Sequence, residues 1–235
     1  MSTWPCPPQK LSRSLQNLTT GFDALPSNLL ASRLLSIIAT IRLITIGFDM
    51  YLSHHPAAPS LVRILWARNS VQHDLLSLVP KSIAIAADGS AMYEGLYELV
   101  HLSTLAFTLL VLFPIPRVAG LHAKLSQRLM LALDNCTLQR LWEQYPDLLL
   151  WATVSGGMIA EGSLRTWFGE MTRRARPQTG WVKQAQPQGS GAAPEDLPWA
   201  VVREICSRFL WFDGAECEGE GKVFWDEACK MELAG

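Results

Sequence analysis

Residues 93–113 read YEGLYELVHLSTLAFTLLVLF, and this stretch decides the fold class. Its apolar side chains recur at intervals of three and four residues, which is the spacing of one face of an α-helix. The later turns become apolar on every side, which indicates a helix enclosed by other helices. The mostly apolar part, from Leu99 to Phe113, ends at Pro114 and is shorter than the roughly 20 residues that a membrane-spanning helix needs. We therefore predict a central buried helix.

Three further segments show helical spacing, and each has polar residues on its other side. Their apolar positions are Ile64, Ala67, Val71, Leu75 and Leu78; Leu121, Leu125, Leu129, Ala132 and Leu133; and Val201, Val202, Ile205, Cys206, Phe209 and Leu210. No segment shows the sustained alternation that is typical of a half-buried strand. The prediction is an all-α, multi-helix domain with orthogonal or bundle-like packing.

The distribution of proline, glycine and glutamine divides the chain. We predict a partly disordered N-terminal tail at 1–26, a main helical domain at 27–176 and a mobile linker at 177–197. The C-terminal helices at 198–235 form a piece too small to bury its own aromatic residues, so we expect them to dock onto the main domain.

Composition narrows the classes of function. The formal net charge of -1 gives no general attraction to a polyanion, so direct nucleic-acid binding is not expected. The segment 29–52 is apolar but is interrupted by Arg33, Arg42 and Asp49. The segment 148–160 is short and contains two glycines. A membrane protein is therefore the weaker alternative. No secretory signal follows the proline-rich start. The sequence contains five cysteines, an odd number that does not suit a disulfide framework. We expect a soluble, intracellular protein with reduced thiols and no disulfide bond.

No motif predicts a catalytic, metal-binding or cofactor-binding site. The cysteines lack the close pairs of a zinc site, and no histidine has a helical i, i+4 histidine partner. Ser155 precedes Gly156 and Gly157 but lacks the glycine two positions earlier that a nucleophile elbow requires. We expect these glycines to admit a close neighbouring helix or to end their own helix. His101 is expected to be a buried packing residue.

Two other features have alternative interpretations. Basic residues at 173, 174 and 176 either complement a helix dipole at the end of a helix or form a nuclear-import or phosphate-binding patch. Aromatic residues are dense in the last third of the chain, and they form either core or a pocket for a lipophilic ligand. They are Trp151, Trp167, Phe168, Trp211, Phe212, Phe224 and Trp225. An enzyme would have to use scattered polar residues, such as His73, Asp74, Glu94, His101 and Glu161.

Four segments in order resemble the fungal-specific transcription factor domain, the C-terminal regulatory region of fungal zinc-cluster transcription factors. They are ARNSVQHDLLSL at 67–78, the helix from Tyr93 to the FPIP turn at 113–116, LLLW at 148–151 continuing to Trp167 and Phe168, and FLWFD at 209–213 with FWDE at 224–227. The resemblance covers roughly 60–231. It implies a non-enzymatic regulatory domain in the nucleus or nucleocytoplasm.

The N-terminal zinc cluster of that family needs six cysteines, and this sequence has five. The expected partners are therefore proteins of the transcription machinery or a DNA-binding regulator, with a small apolar effector as a further partner. Three interpretations follow: a fragment of a full-length factor, a degenerate paralogue, or a regulator that acts through another protein. The alternative function is that of a binding protein for an apolar metabolite.

Overall fold

The computed structural model describes residues 11–25, 30, 32–78, 91–114, 116, 120–138, 140–175, 198–213 and 216–230. This part of the chain is helical and contains no strand, so the all-α prediction is confirmed. The helices are α1 (Arg13–Asn17), α2 (Thr20–Asp23), α3 (Ser32–Leu52), α4 (Leu61–Leu76), α5 (Ala91–Phe107), α6 (Leu121–Leu138), α7 (Pro146–Ile159), α8 (Gly162–Ala175), α9 (Trp199–Ser207) and α10 (Glu216–Lys230). A π-helical turn (Thr108–Leu112) extends α5, and a 3-10 turn (Leu141–Glu143) precedes α7.

Helix α7 is the centre of the fold. It contacts α5, α6, α8, α9 and α10, and every residue from Leu148 to Ile159 is buried. Pro146 occupies its first turn, where the missing N–H of proline costs no helical hydrogen bond. The indole N–H of Trp151 donates to the carbonyl of Leu210, 3.0 Å away, and this bond joins α7 to the segment after α9. The helix can be apolar on all sides because other helices surround it.

Two glycines of α7 allow its neighbours to approach closely, as the sequence predicts. A Cβ atom on Gly156 would lie 2.6 Å from Cζ of Phe168 on α8, and one on Gly157 would lie 2.6 Å from Cε1 of Phe224 on α10. Both rings are buried. The two aromatic rings therefore occupy the space that larger side chains would fill.

The amphipathic stripes also have the predicted orientation. In α4, Ile64, Val71 and Leu75 are buried, while Ala67 is half-buried. In α9, the apolar side of the stripe is buried as expected, but Ser207 on the predicted polar side is also buried, at 4% exposure. Its hydroxyl donates to the carbonyl of Glu204, 2.7 Å away, which satisfies the buried polar group within the helix.

The π-helical turn lies against α4. The Arg68 guanidinium donates from Nη1 to the Leu112 carbonyl, 2.8 Å away, and its carbon lies 4.5 Å from the centre of the Phe113 ring. The Thr108 hydroxyl donates to the Gln72 side-chain oxygen at 2.9 Å. A π-turn leaves the regular helical bonding pattern, so these bonds between α4 and the turn satisfy a backbone carbonyl and a hydroxyl at the end of α5.

Among the described residues, two helical stretches are long and apolar enough to cross a membrane, judged by length and composition: Ser32–Leu52 and Gly95–Leu112. Within the fold, 78% of the second stretch is buried, as in the core helix of a helical domain. The first is 50% buried and packs against α4. Leu43 and Leu52 are exposed on this helix.

The N-terminal and C-terminal segments meet the central helices. Within the segment assigned to the tail, residues 11–25 form α1 and α2, and Leu15, Leu18 and Phe22 are buried. The linker at 177–197 lies outside the described residues. Beyond it, α9 contacts α1 and α7, and α10 contacts α7 and α8.

Candidate functional site

A cleft of about 400 Å³ lies where three distant parts of the chain meet. It is bounded by the end of α2, the start of α7 and the turn that follows α9. Its lining includes Gly21, Ala24, Leu25, Tyr145, Asp147, Leu148, Arg208 and Phe209. The volume is within the range of small-molecule binding sites.

Backbone hydrogen bonds hold the N-terminal wall of the cleft against the turn after α9. The Thr19 N–H donates to the Phe209 carbonyl at 2.8 Å, and the Gly21 N–H donates to the Arg208 carbonyl. A Cβ atom on Gly21 would lie 2.8 Å from that carbonyl oxygen and 2.7 Å from the Phe209 ring. Glycine at this position therefore allows α2 to reach the turn and close one side of the cleft.

Aromatic rings form a rigid apolar base beside the cleft. The Phe22 ring meets the rings of Trp151 and Phe209 edge-on, with centroid distances of 5.6 and 5.2 Å. Trp151 and Phe209 stack at 5.4 Å with an interplanar angle of 20°. Since all three side chains are buried, Phe209 is fixed in orientation where it lines the cleft.

An ion pair forms the polar wall. Nη1 of Arg208 lies 2.8 Å from Oδ2 of Asp147, and the two side chains are 33% and 24% exposed. Asp147 lies in the first turn of α7, where a negative charge complements the helix dipole. The N-cap residue Tyr145 makes no side-chain capping bond to the helix. The cleft therefore combines apolar surface with one positive and one negative side chain.

The residues singled out from the sequence lie elsewhere. His101 is buried, as predicted, and its Nε2 lies 2.9 Å from the Leu75 carbonyl oxygen. Burial lowers the pKa of His101, although the hydrogen bond to Leu75 partly opposes the shift. His73 and Asp74 are neighbours on α4, and Ser155 is buried in α7. None of these residues lines the cleft.

Among the described residues, Cys136, Cys206 and Cys229 form no disulfide bond. Burial, with a smaller contribution from the negative charge of Glu98, raises the pKa of Cys136 to about 12. No group of three or more potential metal-ligating side chains occurs among the described residues. Arg173, in the last turns of α8, is exposed, while Arg176 lies outside the described residues.

The aromatic-rich region is packed core. Trp151, Phe168, Trp211, Phe212 and Phe224 are each at most 1% exposed. The cleft lies at the edge of this cluster, beyond Phe209.

Sequence reasoning missed Asp147 and Arg208 as a site. The helical pattern assigned Arg208 to the polar side of α9, and solvent exposure is the ordinary interpretation of such a position. A Pro-Asp pair at 146–147 indicates the start of a helix. Neither signal predicts that the two side chains meet, because 61 positions separate them.

A second feature is an exposed apolar face at the turn between α3 and α4. Leu52 at the end of α3 is 47% exposed, and Val62 and Trp66 on α4 are 64% and 74% exposed. Val62 and Trp66 are four residues apart, so they lie on the same side of the helix.

No known protein family, curated protein or solved structure matches this chain. The resemblance to the fungal regulatory domain therefore stays a prediction.

Proposed function

We propose that this chain is a helical regulatory module that binds a small organic effector in the cleft and acts on transcription through protein partners. The cleft at the junction of α2, α7 and the turn after α9 is the observation that carries the proposal. A ligand there would contact segments that are far apart in sequence. Its binding energy would therefore favour the arrangement in which those segments are docked.

The side chains that line the cleft favour binding over catalysis. Asp147 is paired with Arg208, so its carboxylate is already engaged in an ion pair. A general base has to be within reach of a substrate proton and poised to accept it. Leu25, Leu148 and Phe209 add apolar atoms to the wall, although Leu148 and Phe209 are only 1% and 3% exposed. This mixture is typical of small-molecule binding pockets.

The transcriptional part of the proposal is supported by the four ordered segments that resemble the fungal regulatory domain. The net charge of -1 favours action through a partner over direct DNA binding. The exposed Trp66 and Val62 support protein partners, since exposed apolar clusters often mark interaction surfaces. A nuclear or nucleocytoplasmic location follows from this role.

Effector binding is tested by thermal unfolding of the full chain with a panel of small apolar acids, amines, amino acids and alcohols. We expect at least one class to raise Tm. Ala24→Trp, which places a large side chain at the cleft, should abolish the shift. Asp23→Trp is the matched control, because Asp23 is exposed on the preceding position and does not line the cleft. A panel without any effect on Tm would contradict effector binding.

The regulatory role is tested by tethering the chain to a promoter through a foreign DNA-binding domain. We expect a change in reporter transcription that Trp66→Ser weakens without lowering Tm. A reporter that never responds, in a chain that binds ligands in vitro, would favour the alternative role as a metabolite-binding protein.

A further inference from the structure

The ion pair in the cleft leaves hydrogen-bonding capacity on both partners. A guanidinium has five N–H donors, and a carboxylate has two acceptor oxygens. Among the described residues, the only hydrogen bond of the Arg208 side chain runs from Nη1 to Oδ2 of Asp147. The pairing is single rather than bidentate, so Nη2 and Nε of Arg208 can each donate to a further partner and Oδ1 of Asp147 can accept from one.

The electrostatics of the cleft restrict what those partners are. One positive and one negative side chain lie 2.8 Å apart, so the cleft has no net charge from this pair. A ligand with a single charge would be attracted by one member and repelled by the other. A ligand with a carboxylate and an ammonium on the same carbon can place each charge beside its opposite. Charge complementarity therefore favours a zwitterion.

The other residues that line the cleft indicate which apolar group the ligand carries. Leu25 supplies aliphatic surface, and the nearly buried Leu148 and Phe209 add smaller apolar areas, with the Phe209 ring fixed by its stacking on Trp151. A volume of about 400 Å³ is within the range of small-molecule sites. The apolar surface and the ion pair line the same cleft, so one ligand can contact both.

We propose that the cleft binds a small apolar α-amino acid, whose carboxylate contacts Arg208 and whose ammonium contacts Asp147. This inference names the effector class and rests on the proposed effector-binding function. The apolar side chain of the ligand lies against Leu25, Leu148 and Phe209.

The test measures binding to the full chain by calorimetry, with four probes that share one branched apolar body. The probes are leucine, 4-methylpentanoate, which lacks the amine, 3-methylbutylamine, which lacks the carboxylate, and 3-methylbutanol, which is neutral. We expect leucine to bind at least about tenfold more tightly than each of the others, since losing one well-paired charge costs about 1.4 kcal/mol or more. Phenylalanine replaces leucine if the branched body is too small.

Three variants assign the two charges. Asp147→Asn should weaken leucine binding about tenfold while leaving or improving 4-methylpentanoate binding, and Arg208→Met should weaken both. Arg128→Met is the matched control, because Arg128 forms an ion pair of the same 2.8 Å length with Glu98 away from the cleft. Its binding constants should equal those of the wild type.

The outcomes separate this inference from the function on which it rests. Tighter binding of the acid, the amine or the alcohol, still abolished by Ala24→Trp, would overturn the zwitterion and leave effector binding intact. Equal binding of leucine by wild type, Asp147→Asn and Arg208→Met would overturn the assignment of the site. If no probe binds and the wider panel also leaves Tm unchanged, both proposals fail.

Discussion

Two glycines in α10 allow a controlled measurement of how tightly this helix packs. Gly219 and Gly221 are two residues apart, but they face different surroundings. A Cβ atom on Gly219 would meet nothing within 4 Å, whereas one on Gly221 would lie 2.6 Å from Cη2 of Trp211 and 2.8 Å from Cη2 of Trp199. The perturbation is Gly→Ala at each position.

The expected free energies follow from two opposing effects. Alanine gains about 0.8–1.0 kcal/mol over glycine in a helix interior, and this gain applies to both positions. At Gly221 the new methyl lies about 1 Å inside the ordinary carbon–carbon contact distance of roughly 3.5–4.0 Å. Trp211 is 1% exposed and cannot turn into solvent, so the clash should cost about 2–3 kcal/mol.

We therefore expect Gly219→Ala to be more stable than the wild type by up to about 1 kcal/mol, and Gly221→Ala to be less stable by about 1–2 kcal/mol. The assay is urea unfolding followed by tryptophan fluorescence, supported by thermal unfolding. The two variants should differ in Tm by about 4–12 °C. A Gly221→Ala variant as stable as Gly219→Ala would refute the close packing of α10 against the two tryptophans.

Three further predictions concern buried groups. Burial lowers the pKa of His101 below 6.5, so the unfolded chain takes up a proton at a higher pH than the folded chain does. The free energy of unfolding should therefore fall as the pH drops below about 6.5. In urea titrations, His101→Gln should reduce this dependence on pH. Burial raises the pKa of Cys136 to about 12, so its thiol should resist iodoacetamide at about pH 8 in the folded protein and react after unfolding. Mass spectrometry measures the labelling. Labelling of the folded protein at the rate of an exposed thiol would contradict the burial of Cys136. Arg68→Met should lower the free energy of unfolding in urea by about 1–3 kcal/mol, because it removes the bond to Leu112 and the contact with Phe113. The control is Arg128→Met, which removes an exposed ion pair. An equally small loss in both variants would show that α4 does not support the π-helical turn.

Helical periodicity predicted much of the architecture. The stripes at Ile64 to Leu78 and Leu125 to Leu133 predicted the buried sides of α4 and α6, because the apolar face of a helix packs into the core. The prediction was wrong for Leu121 at the start of α6, which is 36% exposed. The all-apolar end of α5 predicted a buried helix, and 78% of this stretch is buried, although the helix at the centre of the fold is α7. Periodicity did not predict the π-helical turn at Thr108–Leu112, where Arg68 donates to the Leu112 carbonyl and Thr108 donates to Gln72 on another helix.

Short helices near the N-terminus were not predicted. Helices α1 and α2 contain five and four residues, too few to show a period or to be stable alone. Their order comes from burial of Leu15, Leu18 and Phe22 and from the backbone bonds that Thr19 and Gly21 make to the turn after α9.

The sequence by itself determined the all-helical class and most of the buried faces of the long helices, because these depend on local spacing. For Gly156 and Gly157 it left a close helix approach and a helix end as alternatives, and the structure shows the close approach. Only the tertiary structure decided the cleft. Its walls come from residues near 21, 147 and 208, and the ion pair between Asp147 and Arg208 exists because packing around Trp151 and Phe209 brings the start of α7 to the end of α9. Contacts between positions so far apart depend on how the apolar faces of all the helices pack together. This packing leaves no periodic pattern in the sequence at Asp147 or Arg208, so their contact could not be predicted.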